Sequence, residues 1–132
     1  MKSISFLWST VAALALCALL TPTVHAADKK EPMLRHMVAF KFKASASPEG
    51  IKKIEEAFRD LKKKIPQIAH LEWGINNSPE NLNKGFTHGF ILSFKSEEDR
   101  GAYLPHPDHK AFGALLGPLI DDVFVIDFWA KE

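Results

Sequence analysis

Leu34-Arg35-His36-Met37-Val38-Ala39-Phe40-Lys41-Phe42-Lys43 is the stretch on which the fold turns. His36, Val38, Phe40 and Phe42 fall on one side of an extended chain, and Met37, Ala39, Lys41 and Lys43 on the other, which is the two-residue period of a β-strand. Directly after it the period changes. Ser47 offers a side-chain oxygen to the free amides of a helix start, Pro48 needs no amide donor in the first turn, and Glu49 suits the positive end of the dipole. Ile51, Ile54, Phe58, Leu61 and Ile65 then recur at helical spacing among Lys, Glu, Arg and Asp. One amphipathic helix with a single buried stripe is expected, ending at Pro66.

Working outward, Ile68 to Ile75 reads as a second strand with Leu71, Trp73 and Ile75 on one face, followed by a polar loop over 76–81. Phe86 to Phe94 reads as the third strand. A short helix is expected from Glu97 to Tyr103, interrupted by Pro105 and Pro107. Asp108 is expected to cap a further helix reaching about Leu116, which Gly117-Pro118 stops. Val123 to Trp129, dense in Val, Ile, Phe and Trp, is the last strand. The order β-α-β-β-α-β defines an α+β, ferredoxin-like protomer. Its strands are apolar on both faces, yet its helices can cover only one. A second copy is the simplest cover for the other, so two sheets joining into a dimeric α/β barrel are expected.

The chain has 132 residues, room for one domain. Its first 26 residues read as a signal peptide: Lys2, an apolar run from Ile4 to Leu20, and the small residues Val24 and Ala26 at the cleavage end. A Sec signal cleaved after Ala26 implies a periplasmic or secreted protein, with no membrane attachment afterwards. Residues 27–33 read as a flexible leader and 34–131 as the domain. Cleavage removes Cys17, the only cysteine, and Lys2, leaving 16 basic residues of 17 against 16 acidic ones. Without a concentrated positive footprint, nucleic acid is not an expected partner.

Of six histidines, His36 and His88 lie in strands on the same faces as large apolar residues, and His106 and His109 follow Tyr103. Imidazole exchanges protons near neutrality, so each is a candidate acid, base or ligand contact. The structural alternative is a core histidine satisfied by a carbonyl. Tyr103-Leu104-Pro105-His106-Pro107-Asp108-His109 resembles the signature of the stress-responsive dimeric α/β-barrel family. The resemblance extends through Leu34-Arg35-His36, Phe40-Lys41-Phe42-Lys43, Trp73-Gly74, Gly85-Phe86-Thr87-His88 and Asp127-Phe128, all in order. It implies a ferredoxin-like protomer, a dimer with a joined barrel, and a pocket between sheet and helices.

Some plant members resemble small polyketide cyclases. That likeness places an acid/base role on His109 and a substrate-orienting role on Tyr103, with His36, His88, Phe40, Phe58 and Trp73 as contacts for a small apolar or aromatic molecule. Phe58 has no hydroxyl where cyclase-type members can use one. A histidine and a phenol can remove a proton beside a carbonyl and hold the resulting enolate without metal or cofactor. A metal reading is weaker, because Pro107 separates His106 from His109 and no further ligand completes a site. Asp127 is expected to pair with Arg35 or a lysine. The readings left open are a binding or stress protein in which Tyr103 and His109 are structural, a cofactor-free cyclase- or lyase-like enzyme, and a cofactor-independent monooxygenase.

Overall fold

The computed structural model describes residues 31–131; the signal-peptide reading and most of the leader lie outside the described residues. The elements run β1 (Leu34–Phe42), α1 (Pro48–Lys64), β2 (His70–Ile75), β3 (His88–Phe94), α2 (Glu97–Tyr103), α3 (Pro107–Leu116) and β4 (Ile120–Trp129). They build one antiparallel sheet in the order β2-β3-β1-β4. β3 and β1 are the two inner strands, and the even-numbered residues of β1 from Leu34 to Phe40 are buried beneath the helices.

Ser47 caps α1, its hydroxyl accepting from the Gly50 amide, with Pro48 in the first turn as expected. Ile54, Phe58 and Leu61 of α1 are buried, as is Ile65 just past its end. They press on a sheet face made by Val38, Phe40, Phe90 and Leu92. The expected Asp108 cap is corrected. His106 is the cap of α3, its Nδ1 accepting from the Asp108 amide at 3.2 Å, and Pro107 occupies the first turn. A proline at that position pushes the preceding residue into extended backbone, the conformation a cap needs. The strand limits also move: β2 and β3 each start two residues later than the composition indicated, and β4 three residues earlier.

The register makes the two faces concrete. Across the sheet, Leu71, Leu92, His36 and Asp127 stand in one row on the helix side. On the other side Gly74, Gly89, Ala39 and Phe124 form a row, and Glu72, Ile91, Met37 and Ile126 form the next. A Cβ added to Gly74 or Gly89 would meet nothing within 4 Å. That row of small residues opens a trough of about 540 Å³ edged by Phe86. No helix covers this face among the described residues, and Phe124, Ile126 and Phe128 are each more than two-fifths exposed on it.

Candidate active site

Four elements converge at one end of the helix side. Tyr103 is the last residue of α2 and 1% exposed. The turn 104–106, with Pro105 in it and Pro107 opening α3, folds α3 back so that the His109 ring lies 4.3 Å from the Tyr103 ring. On its other flank the Tyr103 ring meets His36 of β1 edge-on at 5.7 Å. Asp127 of β4, which faces His36 in the register, completes the set.

The hydrogen bonds fix which nitrogen does what. His109 Nδ1 lies 2.9 Å from the Leu104 carbonyl oxygen. A carbonyl only accepts, so Nδ1 carries the proton and Nε2 is the basic nitrogen of the neutral ring. His36 Nδ1 lies 2.6 Å from Asp127 Oδ1. The carboxylate likewise only accepts, which again makes Nε2 the basic nitrogen. Arg100 Nη1 donates to Asp127 Oδ2 at 2.7 Å, so the carboxylate is held from both sides. The expected pairing of Asp127 with Arg35 or a lysine is therefore corrected. Arg35 points to the opposite face of the sheet, where it donates to Ser93.

Burial pushes the Tyr103 phenol well above its ordinary range, and the Asp127 charge pushes it further. The hydroxyl therefore stays a donor at any physiological pH. Tyr103 is the only tyrosine in the chain, so tyrosinate absorbance reports on it alone. The phenol is protonated in the folded state where the unfolded one has ionised, so folding holds an extra proton above about pH 10. Stability is then expected to fall by up to about 1.4 kcal/mol per pH unit above that point. Denaturant titrations at stepped alkaline pH should show this slope, and Tyr103→Phe should flatten it. An equal slope in both proteins would refute the assignment.

The remaining candidates lie elsewhere. His88 is four strand positions from His36 in the sheet frame, since it faces Phe40, which separates the two by about 13 Å. Its Nε2 donates to Glu55 of α1 at 3.0 Å and its Nδ1 lies 2.9 Å from the Thr87 hydroxyl. Both nitrogens are occupied, so His88 ties α1 to β3. Phe40 and Phe58 are packed with Phe90 and Phe112; the Phe58 and Phe90 ring centroids are 4.0 Å apart. Trp73 lies on the edge strand, stacked on Phe90 and capped by the Arg59 guanidinium. The structure thus joins Tyr103, His109 and His36, and sets His88, Phe40, Phe58 and Trp73 apart from them.

Glu55, Arg100 and the Leu104 carbonyl were not foreseen from the residues. Glu55 stands three positions before Phe58 and Arg100 three before Tyr103. Each is a charged residue bordering a buried position at helical spacing, which is the signal that was available.

Residues 34–130 match the family described as the stress responsive A/B barrel domain. The stress-response A/B barrel domain-containing protein HS1 of Arabidopsis thaliana is 34% identical over 76% of this chain and 92% of its own. Olivetolic acid cyclase of Cannabis sativa is 24% identical over 75% of this chain and 98% of its own. The structure of a hydroxynitrile lyase from Passiflora edulis superposes with a TM-score of 0.71 at 24% identity, covering 76% of this chain and 94% of that one. A structure from Thermobifida fusca, described as a dimeric ferredoxin-like protein, superposes with a TM-score of 0.64 at 21% identity over 75% and 92% of the two chains. At these identities the two structures show a common fold.

Proposed function

The chain belongs to the stress responsive A/B barrel domain family, and from that premise we propose that it is an exported homodimer that acts as a cofactor-free acid/base catalyst on a small, largely apolar carbonyl compound. The observation that carries this reading is the packing of His109 against Tyr103, with Nδ1 of the imidazole committed to Leu104 and the phenol held protonated. His109 Nε2 takes a proton from the carbon beside the carbonyl. The Tyr103 hydroxyl donates to the oxygen on which the enolate charge develops. The protonated His109 Nε2 then returns that proton to the product, which restores the neutral ring, while His36, edge-on to Tyr103 and bonded to Asp127, holds the phenol in place. A cyclase and a lyase occur on the same fold, so it accommodates chemistry on small molecules. Export of the chain argues for a free carbonyl compound over a cytoplasmic acyl-thioester.

The second reading, a binding protein without catalysis, is favoured by the apolar trough of about 540 Å³ edged by Phe86 on the opposite side of the sheet from Tyr103 and His109. The two separate in proton-exchange experiments. The mature protein is expected to accelerate exchange at the central carbon of a 1,3-diketone, or cleavage of an aromatic cyanohydrin. His109→Ala should lower the rate by about 10²-fold or more, and Tyr103→Phe by about 10²-fold. A mature protein that binds these compounds but is no faster than buffer would leave the binding reading standing. A His109→Ala variant with the original rate would remove His109 as the base.

A further inference from the structure

Arg100 has a task that the acid/base reading leaves unassigned. It sits in the middle of α2, a helix of seven residues whose own hydrogen bonding is too short to hold it rigidly. Its guanidinium reaches across to β4 and donates to Asp127 Oδ2 at 2.7 Å. The other oxygen of the same carboxylate accepts from His36 Nδ1 at 2.6 Å. One turn further along α2 is Tyr103, whose ring edge meets His36 at 5.7 Å. A single carboxylate therefore ties the helix that carries the phenol to the strand that carries the imidazole. Arg100 and Asp127 are each about one-quarter exposed, so the pair is partly shielded from solvent while its outer side stays wet.

The geometry points to Arg100 as a positioning residue: by holding Asp127 from its second oxygen, it fixes the tautomer and orientation of His36 against Tyr103. Without that hold, Asp127 keeps two free rotamer axes at the exposed edge strand, and His36 loses the fixed acceptor that keeps its proton on Nδ1. Lysine can supply the charge and one N–H donor but not the fixed direction of a planar guanidinium N–H, so it should replace Arg100 only in part. The inference rests on the proposed acid/base reading for its kinetic consequence, and on the observed hydrogen bonds alone for its effect on His36.

The experiment compares the mature protein with Arg100→Met and Arg100→Lys by two measurements. Nitrogen NMR of the imidazoles, with His36 assigned through a His36→Gln variant, reads the tautomer directly. Diketone exchange gives kcat and KM. Arg100→Met should convert the single Nδ1–H form of His36 to a mixture, and lower kcat about tenfold with KM little changed. Arg100→Lys should recover most of both. If Arg100→Met does not fold, Arg100→Gln, which keeps an N–H donor, is read in its place against Arg100→Lys. An unchanged His36 spectrum in the arginine variants overturns the proposal. So does an Arg100→Lys protein as impaired as Arg100→Met, because the side chain would then be acting only as a structural strut. If the unsubstituted protein shows no exchange activity, the catalytic reading fails, and the imidazole spectrum still decides the role of Arg100.

Discussion

Phe58→Ala is expected to destabilise the protein by about 3–5 kcal/mol. Phe58 is 2% exposed and stands at the centre of the aromatic group, tilted over Phe90 at 4.0 Å and edge-on to Phe112 at 5.0 Å and Phe40 at 5.7 Å. Removing the ring forfeits its transfer free energy, and its stiff aromatic neighbours can refill little of the gap. α1 also loses the middle of its buried stripe, so the effect falls on the contact that holds the helix to the sheet. Urea denaturation at a fixed protein concentration measures it. A loss below about 1 kcal/mol would mean that the site relaxes freely, and that Phe58 borders space open to a ligand. Phe58→Tyr is a sharper probe of the same point. In a closed interior the new hydroxyl is unpaired and costs about 1–3 kcal/mol; in an open pocket it costs little.

The same residue shows where reading the chain succeeds and where it stops. Phe58 is visibly interior because it is the middle one of five apolar residues at helical spacing, and β1 and β3 are legible because their alternation is unbroken. The prolines at 105 and 107 mark only a break between two helices; the resemblance alone gave Tyr103 and His109 a shared role, and the structure brings their rings to 4.3 Å. His36 with Asp127 is another matter. They are 91 residues apart, and only the register of β1 on β4 brings them together. Alternation says that each faces one side of the sheet without saying which partner it meets, so Arg35 and Asp127 looked as good a pair as the one that forms. The His106 cap was missed for a local reason. Aspartate is the commoner cap, but Pro107 must occupy the first turn, and that moves the cap back two residues, from Asp108 to His106.

Ile126→Lys should leave the proposed homodimer monomeric at micromolar concentration, as read by light scattering or sedimentation. Ile126 lies beside Met37 and Ile91 in the middle of the uncovered face, between Phe124 and Phe128 along β4. Exposed aromatic and aliphatic side chains in a contiguous row, next to a trough whose glycine floor leaves room for an inserted side chain, make a surface with a strong gain from association. In a two-fold dimer the substitution appears twice, each time carrying a charge into an apolar contact at a cost of several kcal/mol. Since each 1.4 kcal/mol is a factor of ten, the dissociation constant should rise by about a thousandfold or more. The protomer itself should keep its fold, because Ile126 points away from the core formed with α1 and α3. A substitution that leaves the dimer intact would show that copies associate through some other surface, and loss of the fold in the monomer would show that this face belongs to one core shared by two chains.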